Sequence, residues 1–301
     1  MLSTKRFSTK LVASLSVAAA AIGLASCSSD DSSGEGDKGT ITIGYMPSWT
    51  DGLSTAYLLT NKLEAAGYTV EHEELTDAAV LYTGLAGGDI DIFASAWPEV
   101  TQAQYMEKYS EDIEDLGAYY DNAKLTWAVP EYVEDVNSIE DLKGASDRFG
   151  GKVVGIEPGA GLTAASEKVM QDYGLESDGY TLSTSSTPAM LSELQSAVDS
   201  ENDIVVTLWR PFWANTEFPV KDLEDPKGSL GESEALHWLG REGFGEDQPE
   251  VAEWLKSIKL DDEQYGTLED TVVNQFGEGK EAEAVQDWLD KNPDVVPDLQ
   301  Q

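Results

Sequence analysis

Two Trp, one Phe and one Arg fall within seven residues, Thr207-Leu208-Trp209-Arg210-Pro211-Phe212-Trp213, at the end of the apolar run Ile204-Val205-Val206. Pro211 has no backbone N–H and disfavours a helical Arg210, so the strand must turn there while presenting large aromatic faces. Trp49 and Trp97 follow two earlier strand patterns in similar settings. Ligands of open α/β sheets bind beyond strand ends. Three Trp so placed can wall a box for a small cation, with Trp209 as one wall. The chemistry suits a trimethylammonium group in particular. Such a group has no N–H to offer a carboxylate, and its charge is spread over methyls, which aromatic faces meet with both apolar contact and quadrupole attraction. At about 1–2 kcal/mol per desolvated face, three faces give about 3–6 kcal/mol, which reaches only millimolar affinity before association costs. A second contact and closure of the site must supply the rest.

The elements that would position these residues read as two similar units. Residues 40–45 alternate as a strand, 54–66 have the spacing of a helix stopped by Gly67, and 68–75 form a second strand. Asp77 caps a helix over 78–86, Gly87-Gly88 end it, and 89–94 form a third strand leading to Trp97. Helix is expected over 100–109, a strand at 125–129 stopped by Pro130, and a short capped helix near 136–142. The layout then restarts: strand 152–156, loop 157–161, helix 162–173, strand 180–182, a helix over 189–198 with Thr187 as N-cap before Pro188, and strand 204–208. After Trp213 the chain reads as loop to Gly245, then as helices over 247–258, 267–276 and 280–291. Strands alternating with helices imply a parallel sheet. Two α/β halves joined by strands near Trp127 and Leu208 would form a cleft, the outline of a solute receptor.

The 301 residues carry a formal charge of −38. Such a chain repels nucleic acid and anionic membrane surfaces. At the N-terminus, Lys5, Arg6 and Lys10 precede an apolar stretch over 11–24, too short to span a bilayer, which ends in Leu24-Ala25-Ser26-Cys27. This box resembles a bacterial lipoprotein signal. It implies removal of residues 1–26, a lipid on Cys27 and an extracytoplasmic, membrane-anchored protein. An ordinary signal peptide with an incidental Cys is the plainer alternative. Residues 28–39 are Ser, Gly and acidic residues with one Lys and no large apolar side chain, so 27–39 reads as a flexible tether. Cys27 is the only cysteine, which leaves no intrachain disulfide.

Across about residues 40–300 the chain resembles the substrate-binding proteins of bacterial glycine betaine/proline betaine ABC transporters. The residues that carry this are Gly44-Tyr45 with Trp49, Gly84-Leu85-Ala86-Gly87-Gly88-Asp89-Ile90-Asp91, Ala96-Trp97-Pro98 and Ile156-Glu157-Pro158-Gly159-Ala160-Gly161. The match continues through residues 204–213 and Leu223-Glu224-Asp225-Pro226-Lys227-Gly228. The resemblance implies an α/β, two-lobed type II periplasmic-binding-protein fold with ligand in the cleft. One lobe would comprise 40–128 plus 212–301 and the other 129–211. It further implies a Trp cage of Trp49, Trp97 and Trp209, an ABC permease as partner, a monomer, and neither catalysis nor a cofactor.

Glycine betaine also bears a carboxylate. Gly159-Ala160-Gly161 precede a helix, and free amides with a helix dipole suit an anion; the same stretch serves equally as a plain helix start. Many members of the resembling family carry His where this chain has Phe212, which cannot donate. Arg210 substitutes if it points inward, although a residue after a strand end also faces solvent. The choice among betaines, carnitine and choline therefore stays open. A carbohydrate-binding or hydrolysing module using Trp platforms is the alternative from another class; it is disfavoured because no carboxylate pair stands out. Trp254 and Trp288 lie on helical core stripes, Trp127 reads as hinge-strand core, Trp213 as packing beneath Trp209, and Trp238 is undecided. His72 and His237 are isolated, so no metal site is proposed.

Overall fold

Ile41, Ile43 and Tyr45 are fully buried on β1 (Thr40–Tyr45), the first element of a computed structural model that describes residues 38–299. Helix α1 (Thr50–Ala65) buries Leu58, Leu59 and Leu63. Next come β2 (Thr69–Glu74) and α2 (Ala78–Gly87). Asp77 caps α2 by accepting from the amides of Ala79 and Val80, and Gly88 ends it in the left-handed region at φ 78°. Strand β3 (Ile92–Ala96), helix α3 (Ala103–Tyr109) and the 18-residue strand β4 (Ile113–Pro130) complete the first half.

The second half repeats the layout with β5 (Lys152–Val154), α4 (Gly161–Tyr173), β6 (Thr181–Ser183), α5 (Thr187–Asp199) and β7 (Val206–Arg210). Then follow α6 (Ala214–Glu217), β8 (Val220–Asp222), β9 (Glu234–Arg241), α7 (Phe244–Asp247) and α8 (Pro249–Ser257). The described chain closes with α9 (Asp262–Asp270), which runs on into a π-helical turn over Thr271–Phe276, and α10 (Glu281–Lys291).

Nine strands form one mixed sheet in the order β2-β1-β3-β9-β4-β7-β5-β6, with β8 also on β4. The three strands of each repeated unit are mutually parallel, as expected. The fully parallel sheet is corrected, because β4 and β9 are inserted antiparallel between the two units. Strand β9 lies where loop was expected. Its sequence Glu-Ala-Leu-His-Trp-Leu-Gly-Arg hides its strand character because three polar residues have fixed partners far along the chain: Glu234 on the 99–101 turn, His237 on Asp115 and Arg241 on Asp91. Strand β4 starts 12 residues before the expected 125–129, since its first part is polar and shifts register three times along β9, which breaks the period-two pattern.

Two caps also differ from expectation. Ser186, not Thr187, caps α5, which releases Thr187 to hold Glu157 through both its amide and its hydroxyl. Helix α9 begins at Asp262, earlier than expected, behind a capping box of Asp261 and Gln264.

Candidate functional site

The three Trp arrive by different routes. Trp49 sits at the N-cap position of α1, with its amide on the Met46 carbonyl at 2.9 Å. Trp97 directly follows β3. Trp209 lies within β7, paired across the ladder with Leu125 of β4. All three, with Leu125, line one small cavity. Ile156, Ala160, Gly161 and Leu162 from the β5–α4 connection close it on one side, and Asp51, Thr101 and Gln102 on another.

Each Trp is held. The Trp49 indole N–H donates to Glu157 Oε2 at 3.3 Å, and Glu157 is itself fixed by Thr187 at the start of α5. The Trp97 indole N–H donates to Asp51 Oδ2 at 3.3 Å, and its backbone N–H donates to Gln102 Oε1 at 2.8 Å. Phe212 stacks behind Trp209, with centroids 3.9 Å apart and planes at 14°. Phe212 is therefore a support for the Trp209 face and does not line the cavity. Trp213 packs one layer further back, edge-on to Phe212 and against Phe218.

The remaining candidates divide. Ala160 and Gly161 line the cavity, whereas Gly159 does not; its carbonyl accepts from Tyr105 Oη at 3.0 Å. The Ala160 amide is used on the Glu157 carbonyl, whereas the amides of the cavity-lining Gly161 and Leu162 have no acceptor among the described residues. Gly161 is required by space: a Cβ there would meet the Thr101 carbonyl oxygen at 2.1 Å. Arg210 does not face the cavity. Its guanidinium grips Asp222 of β8 through Nε and a terminal nitrogen, both at 2.9 Å. Cys27 lies outside the described residues.

Trp127, Trp254 and Trp288 are core, each with its indole N–H satisfied, by Ser166, the Pro297 carbonyl and Thr267 respectively. Trp238 is also core, stacked on Tyr119 at 3.8 Å. Asp91 joins Arg241 and the Thr42 amide as a structural group.

Sequence reasoning missed Asp51 and Gln102. Asp51 is buried 3.3 Å from the Trp97 indole and accepts from Ser95 Oγ at 2.8 Å. Burial pushes its carboxyl up, against the Ser95 and Trp97 hydrogen bonds, which favour the ionised form. Behind it Glu269 is pushed up to about 8, by burial first and by the Asp51 charge as well, while its hydrogen bond from Thr50 works the other way. Proximity to Trp49 in sequence was the only available signal for Asp51. Gln102 sits in a stretch that reads as the start of a helix, and no sequence signal marks it.

Comparison with known proteins fits this geometry. The family profile described as the substrate-binding domain of ABC-type glycine betaine transport systems matches residues 39–291. The glycine betaine/carnitine transport binding protein GbuC of Listeria monocytogenes is 38% identical over 147 residues, 48% of this chain and 47% of that protein, so the chain aligns with about half the length of this curated relative. Among solved structures, the glycine/betaine/L-proline-binding protein ProX of Borrelia burgdorferi superposes with a TM-score of 0.80 at 31% identity, over 87% of this chain and 97% of that one. The lactococcal OpuAC, in its closed form with glycine betaine, gives 0.78 at 31% identity, over 85% and 97%. These neighbours share the two-lobed architecture with the ligand site in the cleft. The chain belongs to the family of substrate-binding domains of ABC-type glycine betaine transport systems.

Proposed function

We propose that this chain captures a quaternary-ammonium solute, glycine betaine or a close relative, outside the membrane and delivers it to an ABC permease. The carrying observation is that Trp49, Trp97 and Trp209 line a single small cavity. Three indole faces attract and desolvate a methylated cation without needing a hydrogen bond from it. The unspent amides of Gly161 and Leu162, at the N-terminus of α4, are suitably placed for a carboxylate. Arg210, engaged by Asp222, takes no part. The lobes are taken as 40–128 plus 212–301 and 129–211, closing over the ligand, and Cys27 as a lipid anchor. No helix among the described residues is long and apolar enough to cross a membrane.

A second reading, choline, is favoured by Asp51. A buried carboxylate in the wall complements a cation and accepts from a hydroxyl, while it repels a ligand carboxylate unless it is protonated. Calorimetry against glycine betaine, proline betaine, carnitine and choline tests both. Heat from none of them would sink the proposal, and turnover of chromogenic glycosides would move the chain to the hydrolytic alternative. Mass spectrometry of membrane-extracted protein tests the anchor: a diacylglyceryl group on Cys27 is expected, and a mature N-terminus elsewhere rejects it.

A further inference from the structure

We infer that Gln102 is a specificity-determining residue, whose side-chain amide donates to an acceptor oxygen on the non-ammonium end of the ligand; this rests on the quaternary-ammonium reading of the cavity.

Gln102 is 2% exposed and yet contributes to the cavity wall. Its amide orientation is settled by its neighbours. The Trp97 backbone N–H, 2.8 Å away, can only donate, and Tyr82 Oη reaches the same atom at 2.7 Å. That atom must therefore be the carbonyl oxygen Oε1, which leaves the NH2 group at the other position. The two donors of Nε2 have no acceptor among the described residues, and Nε2 is not sealed from the open space either.

A buried amide with both N–H bonds unmade is costly, so such groups normally find a partner. Gln102 lines the cavity, which is therefore where its N–H groups can meet a ligand. Tetramethylammonium-like groups offer nothing to an N–H donor. A carboxylate or a hydroxyl oxygen does, and a hydrogen bond to a charged acceptor is the stronger kind. The aromatic faces thus recognise the methylated cation, while Gln102 distinguishes ligands by the oxygen they carry. The Tyr82 ring in turn stacks on Tyr105 at 4.7 Å, and Tyr105 Oη reaches the Gly159 carbonyl across the cleft. The residue that reads the oxygen is therefore braced by the same side chains that join the two halves.

The test compares tetramethylammonium, choline and glycine betaine by calorimetry on the wild-type chain and on Gln102→Glu and Gln102→Met. Gln102→Glu keeps an oxygen for Trp97 and Tyr82, Gln102→Met keeps neither partner, and both remove the donors. Thermal melts confirm that each variant is folded. The expected result is a loss of about 10- to 100-fold for an oxygen-bearing ligand in both variants, with tetramethylammonium much less affected. A larger loss for glycine betaine identifies the oxygen as a carboxylate, and a larger loss for choline identifies it as a hydroxyl. An equal change for all three ligands, or a loss confined to Gln102→Met, makes Gln102 a strut for Trp97 and overturns the assignment. A wild-type chain that binds none of the three overturns the ammonium reading itself.

Discussion

Trp209 shows how one residue's role follows from its surroundings. Its indole is flat against Phe212 on one side, so only the other face is left for a ligand. Replacing Trp209 by Leu should weaken ligand binding about 5- to 30-fold, because one cation–π face is lost, and Trp209→Phe should cost less. Trp254→Phe, buried far from the cavity with its N–H on the Pro297 carbonyl, should lower the melting temperature and leave affinity nearly alone. Titration calorimetry beside thermal melts separates the two outcomes.

Glu269 behaves differently again. Its folded pKa of about 8 lies above the ordinary glutamate value of 4.5, so between the two the folded state holds a proton that the unfolded state has released. Its contribution to stability is therefore complete below pH 4.5 and is lost as pH rises towards 8. Glu269→Gln should flatten that decline in a series of denaturant melts. An unchanged slope would mean that Glu269 ionises in the fold as it does in water.

Among the elements, the N-terminus of α4 is the most constrained. Gly161 lies so close to the Thr101 carbonyl that any side chain collides with it. The 99–101 turn cannot retreat easily, because Glu234 of β9 accepts from the amides of Glu99, Val100 and Thr101 at 2.9–3.0 Å. Gly161→Ala should therefore hold the two halves apart and reduce ligand affinity by an order of magnitude or more, with the melting temperature of the ligand-free protein close to that of the wild type. Solution scattering with saturating glycine betaine gives the check: the wild type should contract and the variant should not. Glu234→Gln keeps one acceptor oxygen but loses the charge; it should loosen the turn and have a smaller effect in the same assay.

The whole molecule carries 57 acidic against 19 basic residues. Its ion pairs are mostly at the surface, where each contributes little. The net effect of charge on stability is then self-repulsion, which screening relieves. Raising NaCl from about 0.05 to about 1 M, where the Debye length falls to about 3 Å, should raise the melting temperature by several degrees. A flat or falling curve by differential scanning calorimetry would show that local pairs such as Arg210–Asp222 and Arg241–Asp91 outweigh the global repulsion.

By itself the sequence determined the repeated β-α-β-α-β layout, because apolar period and Gly, Pro and Asp punctuation are local properties of 10 to 15 residues. It also singled out Trp49, Trp97 and Trp209, since a Trp beside a strand end is visible without knowing the partner. Strand β9 and the first part of β4 were not legible, because their polar residues are acceptable only when Asp91, Asp115 and the 99–101 turn face them from far along the chain. Arg210 illustrates the same limit: only the placement of β8 beside β4 decided that its guanidinium meets Asp222 and not the cavity. Asp51 and Gln102 join the lining of the cavity only in three dimensions. Each is defined by its hydrogen bonds to Trp97, and the folding of α1 and of the 98–102 turn around that one side chain makes those bonds.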